Sequence, residues 1–347
     1  MDKISLIGKT LDELEELACS MGEKSFRGRQ LFNWLYARKA VDFDAMTNLS
    51  KSFRQKLADT VRIGQLTLAE KVVSSASASI KYLFELDDKN VIESVFIPES
   101  GRRTLCISSQ AGCALKCVFC ATGQIGLRRN LTAGEIVEQV VFVEQDTGLE
   151  VSNIVFMGMG EPFKNYENVI KAADLIKHED GIAVGSRRIV ISTAGIVPAI
   201  YQYADEGHKF KLAVSLHSAI NEEREKLMPI SAKYTVEKLT EAVRYYIKQS
   251  GKRPTFEYVL LSGVNDTRRD AEALKKMVRN TPCKINLIPY NPVVEAYRRP
   301  DEERVNQFAQ WLLPLRAPVS VRWSKGVDID AACGQLAGKR LADVHKV

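Results

Sequence analysis

Three cysteines lie close together in the chain, at the spacing of ligands to an inorganic cluster. Cys113, Cys117 and Cys120 fall within eight residues. A zinc site would need a fourth protein ligand, such as Cys106 or His217, and structural zinc cysteines usually come as two matched pairs. A [4Fe–4S] cluster held by three cysteines leaves one iron free for a substrate or cofactor. The spacing therefore favours a cluster over zinc, and over three unrelated core cysteines.

Composition and charge exclude several classes of protein. The chain has 347 residues, of which 45% are hydrophobic and 27% charged, an ordinary balance for a globular protein. No apolar run approaches the roughly 20 residues that span a bilayer. The seven cysteines are odd in number, and the charged amino terminus does not resemble a secretion signal, which argues against a secreted disulfide scaffold. We therefore expect a cytoplasmic protein without a membrane segment. The net charge of +6 is compatible with a polyanionic partner but does not by itself indicate one.

The order of predicted elements indicates an α/β fold. Residues 1–65 are predicted to form a helical accessory domain, with Ser50 capping one helix, and residues 66–98 a linking β-hairpin or small sheet. From about residue 102, strand-like and amphipathic helical stretches alternate, which is typical of βα units and a parallel sheet. Six or seven repeats predict a partial barrel of the (β/α)6 type over residues 99–330, followed by a carboxyl-terminal segment, 331–347.

Polar and glycine-rich segments follow several predicted strands. In barrels of this kind the chemistry takes place at the carboxyl ends of the strands. The residues at these ends that we expect to bind a cofactor are Gly160, Glu161, Ser192, Ser215, Leu216, His217 and Asn291. Each alone would more often be an ordinary loop residue, and Gly-Met-Gly a tight turn. Together with C-x3-C-x2-C, a spacing typical of radical S-adenosylmethionine (SAM) enzymes, they predict that SAM binds at this edge.

At nearly full length, the chain resembles the RlmN dual-specificity RNA methyltransferases, which have the methyltransferase Cfr as a near relative. The resemblance is carried by the helical head, the cysteine motif and segments that begin at Leu105, Phe156, Ile191, Ser215, Leu287 and Gly326. It implies a radical SAM fold with a [4Fe–4S] cluster on Cys113, Cys117 and Cys120. It also implies methylation at C2 of adenosine, a carbon too poor in electrons to attack a sulfonium methyl group directly.

The resemblance further implies roles for two cysteines outside the motif and for one carboxylate. Cys333 takes a methyl group from one SAM molecule, and a 5′-deoxyadenosyl radical made from a second SAM removes hydrogen from that group. The methylene radical then adds to C2. Cys106 attacks the sulfur of Cys333, which releases the product and leaves a transient Cys106–Cys333 disulfide. Glu93 matches the proton acceptor of the family.

The implied partners are 23S rRNA near the peptidyl-transferase centre, tRNA at adenosine 37, and an electron donor such as flavodoxin or ferredoxin. We expect a monomer. Some of the basic groups are expected to hold phosphates: Arg128-Arg129, Arg187-Arg188, Arg298-Arg299, Arg322 and Lys325. Cys19 and Cys283 are expected to be packing residues, and His178, His208 and His345 are given no role.

Two alternatives stay open at this stage. A Cfr-like enzyme would methylate C8 of adenine with the same cofactors and cysteines. Pro162 after Gly-Met-Gly-Glu fits RlmN, whereas Cfr typically has alanine there, so C2 is favoured. The more distant alternative is a zinc-stabilised RNA-binding module without catalysis.

Overall fold

The amino-terminal part of the protein is a helical unit, as predicted. The computed structural model describes residues 3–313 and 315–338. The elements of this first unit are β1 (Ile4–Ser5), α1 (Leu11–Ser20), α2 (Phe26–Phe32), a π-helical turn (Asn33–Ala37), α3 (Lys51–Thr60) and β2 (Val61–Arg62). The Ser50 side chain accepts a hydrogen bond from the N–H of Phe53 at 3.2 Å, which confirms the predicted cap. Parallel pairing of β1 with β2 closes the unit.

The rest of the described chain is organised around one ten-stranded sheet. The further strands are β3 (Thr67–Val73), β4 (Ile80–Glu85), β5 (Val91–Glu99), β6 (Arg102–Cys106), β7 (Gln110–Gly112), β8 (Leu127–Asn130), β9 (Asn153–Phe156), β10 (Ile189–Thr193), β11 (Lys211–Ser215), β12 (Thr255–Leu260), β13 (Lys284–Pro289) and β14 (Val319–Val321). Their order in this sheet is β14-β13-β12-β11-β10-β9-β6-β5-β4-β3, while β7 and β8 pair separately. The pairs from β6 to β14 are all parallel.

Helices cover the parallel strands and bury the core against them. They are α4 (Ala121–Gln124), α5 (Ala133–Thr147), α6 (Tyr166–Lys177), α7 (Val197–Asp205), α8 (Asn221–Leu227), α9 (Val236–Ser250), α10 (Arg268–Val278) and α11 (Glu302–Leu312). Alternation of strand and helix confirms the predicted α/β fold. Because β6 and β9 to β14 of the main sheet all run in the same direction, their carboxyl ends lie along one edge. No helix of the described chain is long and apolar enough to cross a membrane.

Two expectations about local structure have mixed outcomes. The predicted hairpin is present as antiparallel β4 and β5, but it continues the main sheet because β5 also pairs with β6. Cys283 is buried, as predicted, whereas Cys19 is exposed, so the prediction of a packing role is wrong for Cys19. On α1 the buried face carries Leu14 and Ala18, and the next residue is turned about 100° away from that face.

Candidate active site

A cavity opens at the carboxyl edge of the parallel strands. It holds about 990 Å³ of space free of protein atoms, part of which is open to solvent. The predicted residues that line it are Cys113, Cys117, Cys120, Gly160, Glu161, Ser192, Ser215, His217, Asn291 and Cys333. Leu216 is the exception among the predicted cofactor residues, because its side chain is buried in the main core and only its backbone is near the site.

The cysteine loop, residues 113–120, is held against the carboxyl end of α8. The N–H of Val118 donates to the carbonyl of Leu227 at 3.1 Å. Burial raises the pKa of Cys113 to about 12 and that of Cys117 well above its ordinary value. At neutral pH these buried thiols are therefore protonated, and iron would displace their protons on binding.

The Gly-Met-Gly-Glu segment forms one wall of the cavity. Gly160 has a φ of +102°, and a Cβ there would lie 2.6 Å from the Cβ of Gln110, so only glycine fits. The buried carboxylate of Glu161 accepts hydrogen bonds from the N–H groups of Ala194 at 2.7 Å and Phe163 at 2.9 Å. It thereby joins the ends of β9 and β10. A carboxylate accepts about four hydrogen bonds, so Glu161 still has capacity for an ammonium group.

His217 is held as a neutral hydrogen-bond donor. It has a φ of +57°, an unusual conformation for a residue with a side chain. Its carbonyl accepts a bond from Asn265 at 2.7 Å, and its Nδ1 accepts from the N–H of Val259 at 3.0 Å. Burial lowers the pKa of His217 to about 3. The ring is therefore neutral at physiological pH, and its Nε2 carries the proton.

Cys333 lies between two cavities. Besides the main cavity it lines a smaller one of about 480 Å³, whose walls also include Cys106, Met157 and Arg322. Neither Cys106 nor Cys333 is in a disulfide. Burial raises the pKa of Cys106 to about 12 and that of Cys333 to about 11, and the positive charge of Arg322 opposes both shifts.

Hydrogen bonds fix the segment that carries Cys333. The Asn291 side-chain amide donates to the carbonyl of Cys333 at 3.0 Å and to the hydroxyl of Ser324 at 2.9 Å. The Thr122 hydroxyl donates to the carbonyl of Leu336 at 2.6 Å. The bond from Asn291 to the Cys333 carbonyl joins the end of β13 to this segment, and the bond from Thr122 joins the helix after the cysteine loop to it. Asn291 therefore acts on the cavity partly by positioning Cys333.

Glu93 lies beside the same segment. Its carboxylate accepts the N–H of Ala337 at 3.0 Å and lies 3.9 Å from the ammonium of Lys81. Burial raises the pKa of Glu93 to about 7, although Lys81 and the backbone N–H groups oppose the rise. Glu93 is not among the residues that line either cavity. It is adjacent to the chain that carries Cys333 rather than to the thiol itself.

Comparison with known proteins accounts for nearly the whole chain. Residues 4–63 match the ribosomal RNA large subunit methyltransferase N-terminal domain, and residues 107–275 match the radical SAM superfamily. A protein of Alkaliphilus oremlandii named probable dual-specificity RNA methyltransferase RlmN is 45% identical over 98% of this chain and 99% of its own length. The protein of that name from Thermotoga maritima is 44% identical, over 97% and 98%. This chain belongs to the RlmN family.

A solved structure agrees with this membership. A radical SAM methyltransferase from Sphaerobacter thermophilus superimposes with a TM-score of 0.93 at 45% identity, over 97% of this chain and 100% of that one. The expected RlmN resemblance and radical SAM fold are thus confirmed.

The cofactors of an RlmN protein are a [4Fe–4S] cluster and SAM, and the residues present fit them. Three thiols surround one cavity without a matched fourth cysteine in the loop, which is the donor set for a cluster with one free iron. Within residues 3–313 and 315–338, no three His, Cys, Asp or Glu side chains converge as ligands of a single metal ion. What argues against the zinc-module alternative is the match to the radical SAM superfamily and to RlmN proteins.

The structure divides the basic residues that the sequence suggested for RNA contact. Arg129 pairs with Glu135 at 2.7 Å and also with Asp88. Arg299 donates to the side chain of Asn291 at 2.7 Å, and Arg322 lines the smaller cavity. These three arginines are engaged within the protein.

The remaining basic residues lie at two different edges of the sheet. Arg187-Arg188 precede β10 and lie at the amino edge. Arg128, Arg298 and Lys325 are exposed in segments near the carboxyl edge. This arrangement leaves those three beside the cavity.

Sequence reasoning missed three charged residues of the site. Arg322 was grouped with the phosphate-binding candidates, although it faces Cys106 and Cys333. Glu257, in the middle of β12, lines the main cavity, and Arg224 on α8 is fully buried next to the cysteine loop. Charged residues inside a strand or a short helix carry no distinguishing pattern, so only the tertiary structure reveals them. His345 lies outside the described residues.

Proposed function

We propose that this protein methylates C2 of adenosine in RNA, with 23S rRNA at the peptidyl-transferase centre and adenosine 37 of tRNAs as substrates. The names of its RlmN relatives support RNA as the substrate class. The observation that carries the proposal is the position of Cys333, which lines both the main cavity and the smaller cavity that contains Cys106. The sulfur of Cys333 can thus face both the cofactor site and the thiol of Cys106 while its chain segment stays in place.

The target carbon explains why this site needs its cofactors. C2 of adenine lies between two nitrogens and is too poor a nucleophile to take a methyl group from a sulfonium. When bound, the cluster and SAM supply radical chemistry that activates a methyl group for such a carbon. Cys333 first accepts a methyl group on its sulfur and holds it in the main cavity.

We assign the release of the product to Cys106. In the adduct, C2 is joined through a methylene group to the sulfur of Cys333. The thiolate of Cys106 attacks that sulfur, so that an S–S bond forms and the C–S bond breaks. The electron pair passes to the methylene carbon, which gains a proton and becomes the methyl group of the product. Glu93 is assigned to accept the proton that leaves C2, and the cluster would take up the unpaired electron that the radical addition leaves on the ring.

The cofactor contacts follow the strand ends. Gly160 and Glu161 are assigned to the ammonium group of SAM, and Ser192, Ser215 and His217 to its carboxylate and ribose. Leu216 would contribute through its backbone. Asn291 is assigned to SAM and, through its bond to the Cys333 carbonyl, to the methyl carrier as well.

RNA is expected at the carboxyl edge, with the target adenine extruded into the main cavity because an atom inside a base pair is out of reach. Arg128, Arg298 and Lys325 are the proposed phosphate contacts there. We further propose that the enzyme is a cytoplasmic monomer reduced by flavodoxin or ferredoxin.

Nucleoside mass spectrometry of a deletion strain tests the proposal. We expect 2-methyladenosine to disappear from 23S rRNA and from tRNA, and to return when the gene is restored. Loss of 8-methyladenosine instead would assign the protein to Cfr-type chemistry. Loss from only one of the two RNAs would limit the substrate to that RNA.

A further inference from the structure

Arg224 is a fully buried arginine, and among the described residues only neutral groups accept hydrogen bonds from its guanidinium. It has 0% exposure and lies on α8. Its five hydrogen bonds go to the carbonyls of Leu216 (3.0 Å), Tyr234 (3.2 Å), Ala194 (2.8 Å) and Ser215 (3.2 Å) and to the hydroxyl of Ser231 (2.8 Å). The ends of β10 and β11 are thereby joined to α8.

A buried charge without a charged partner is costly, so its presence requires a reason. Removing an ion from water has a large desolvation cost even after relaxation of the protein. Bonds to carbonyl oxygens offset part of that cost. Burial lowers the pKa of Arg224 to about 10, and a negative charge on Cys117, the form in which this residue would bind a cluster, opposes the shift. The guanidinium is therefore positive at neutral pH and acts on the cysteine loop.

Packing places this charge next to the loop. The N–H of Val118, the residue after Cys117, donates to the carbonyl of Leu227 on α8 at 3.1 Å. Ala194, whose carbonyl Arg224 binds, packs in the same apolar cluster as Cys113. Arg224 thus lies between the proposed cluster ligands and the strand ends that carry the proposed SAM contacts.

We propose that Arg224 is the fixed counter-charge of the cluster and raises its reduction potential, while the same guanidinium positions the ends of β10 and β11. This inference rests on the proposed cluster site. Three thiolates bring three negative charges into the loop, and reduction adds one more. A positive charge in a poorly solvated interior favours the more negative, reduced state. Arg224 is a positioning residue, because it touches neither SAM nor RNA.

Redox titration of the reconstituted full-length protein tests the inference without SAM or RNA. Iron and sulfide content and the midpoint potential are compared for the parent, Arg224→Gln and Ser231→Ala. Arg224→Gln should bind its cluster with a more negative potential. The matched control, Ser231→Ala, removes one acceptor of Arg224 but no charge, and should keep the potential of the parent. A potential in Arg224→Gln equal to that of the parent would overturn the inference.

A second variant keeps the test decisive if Arg224→Gln does not fold. In Arg224→Lys the charge is retained near neutral pH, but a buried ammonium loses its proton at lower pH than a guanidinium. Its potential should approach that of the parent at the acid end of the range from pH 6 to pH 9, and become more negative than that of the parent at the alkaline end. A difference from the parent that is constant over this range would refute the role of charge. A parent that binds no cluster would instead overturn the proposed cluster site.

Discussion

At the residue scale, the proposed mechanism assigns the methyl group to Cys333 and its release to Cys106. Cys333 lines both cavities, whereas Cys106 lines only the smaller one. Cys106→Ala should still be methylated on Cys333 and join to RNA, but no thiol can then free the product. A covalent protein–RNA conjugate should therefore accumulate and be visible on denaturing gels, and the variant should release less than one product per protein.

The controls for this prediction come from the same set of cysteines. Cys333→Ala should keep its iron and sulfide and form no conjugate, and so should the double variant. Cys283→Ala, which removes a buried thiol outside both cavities, should turn over normally. A freely turning-over Cys106→Ala, or a conjugate in the double variant, would contradict the assigned roles.

Glu93 provides a pH test at the same scale. Burial raises the pKa of its carboxyl to about 7, so it is protonated below that pH and can accept a proton above it. If it is the proton acceptor, the single-turnover rate should rise with pH and level off above 7, falling about tenfold per pH unit on the acid side. In Glu93→Gln the single-turnover rate should be low at every pH and should no longer fall on the acid side.

Glu138 is the matched control for Glu93. Burial also raises the pKa of its carboxyl to about 7, but it accepts backbone N–H groups of Gln65 and Leu66 and lies outside both cavities. Glu138→Gln should keep the pH profile of the parent. An unchanged profile in Glu93→Gln would remove Glu93 from the mechanism.

At the scale of elements, the docking of residues 331–338 determines whether Cys333 reaches the main cavity. Asn291→Ala removes the hydrogen bond from the end of β13 to the Cys333 carbonyl. An unsatisfied buried group costs about 1–3 kcal/mol, so we expect single-turnover methylation to slow by roughly 10- to 100-fold. Hydrogen exchange in residues 331–338 should quicken, while iron content should not change.

SAM affinity separates the two roles assigned to Asn291. If positioning Cys333 dominates, the affinity should stay near that of the parent, and Thr122→Ala, which frees Leu336 from the same segment, should show a similar but smaller defect. Asn153→Ala, at the amino end of β9, should behave like the parent. Weakened SAM binding with normal hydrogen exchange would make Asn291 a cofactor contact only.

At the scale of the whole molecule, the parallel direction of β6 and β9 to β14 places the cavity at the carboxyl edge of the sheet and leaves the amino edge without it. The proposed RNA contacts Arg128, Arg298 and Lys325 lie near the first. Alanine at each should weaken RNA binding and reduce the slope of log K against log salt by nearly one unit. Arg187→Ala, at the opposite edge, should leave the slope unchanged. Equal effects from both edges would mean that RNA is bound by net charge alone.

The connection between the predicted linking segment and the parallel strands also belongs to the scale of the whole molecule. Because β5 pairs with both β4 and β6, the predicted linking segment and the parallel strands form one sheet. The division of the chain at residues 65, 98 and 330 stays a prediction. Continuity of the sheet means that any boundary near residue 98 would separate hydrogen-bonded neighbours.

Local patterns in the sequence determined the elements and the cluster motif. Alternation of strand and helix follows from side-chain periods of two and 3.6 residues, and the spacing of Cys113, Cys117 and Cys120 lies within one loop. The edge that carries Gly160, Ser192 and Ser215 was also predictable, since parallel strands place their carboxyl ends together.

Only the tertiary structure decided the long-range arrangement of charges and thiols. Cys106 and Cys333 are more than two hundred positions apart, and their shared cavity depends on how residues 331–338 dock against Asn291 and the helix after the cysteine loop. The roles of Arg322 and Arg224 likewise depend on burial and on neighbours from other elements. A charged residue has the same local pattern whether it faces water or a thiolate, so the sequence alone could not distinguish them.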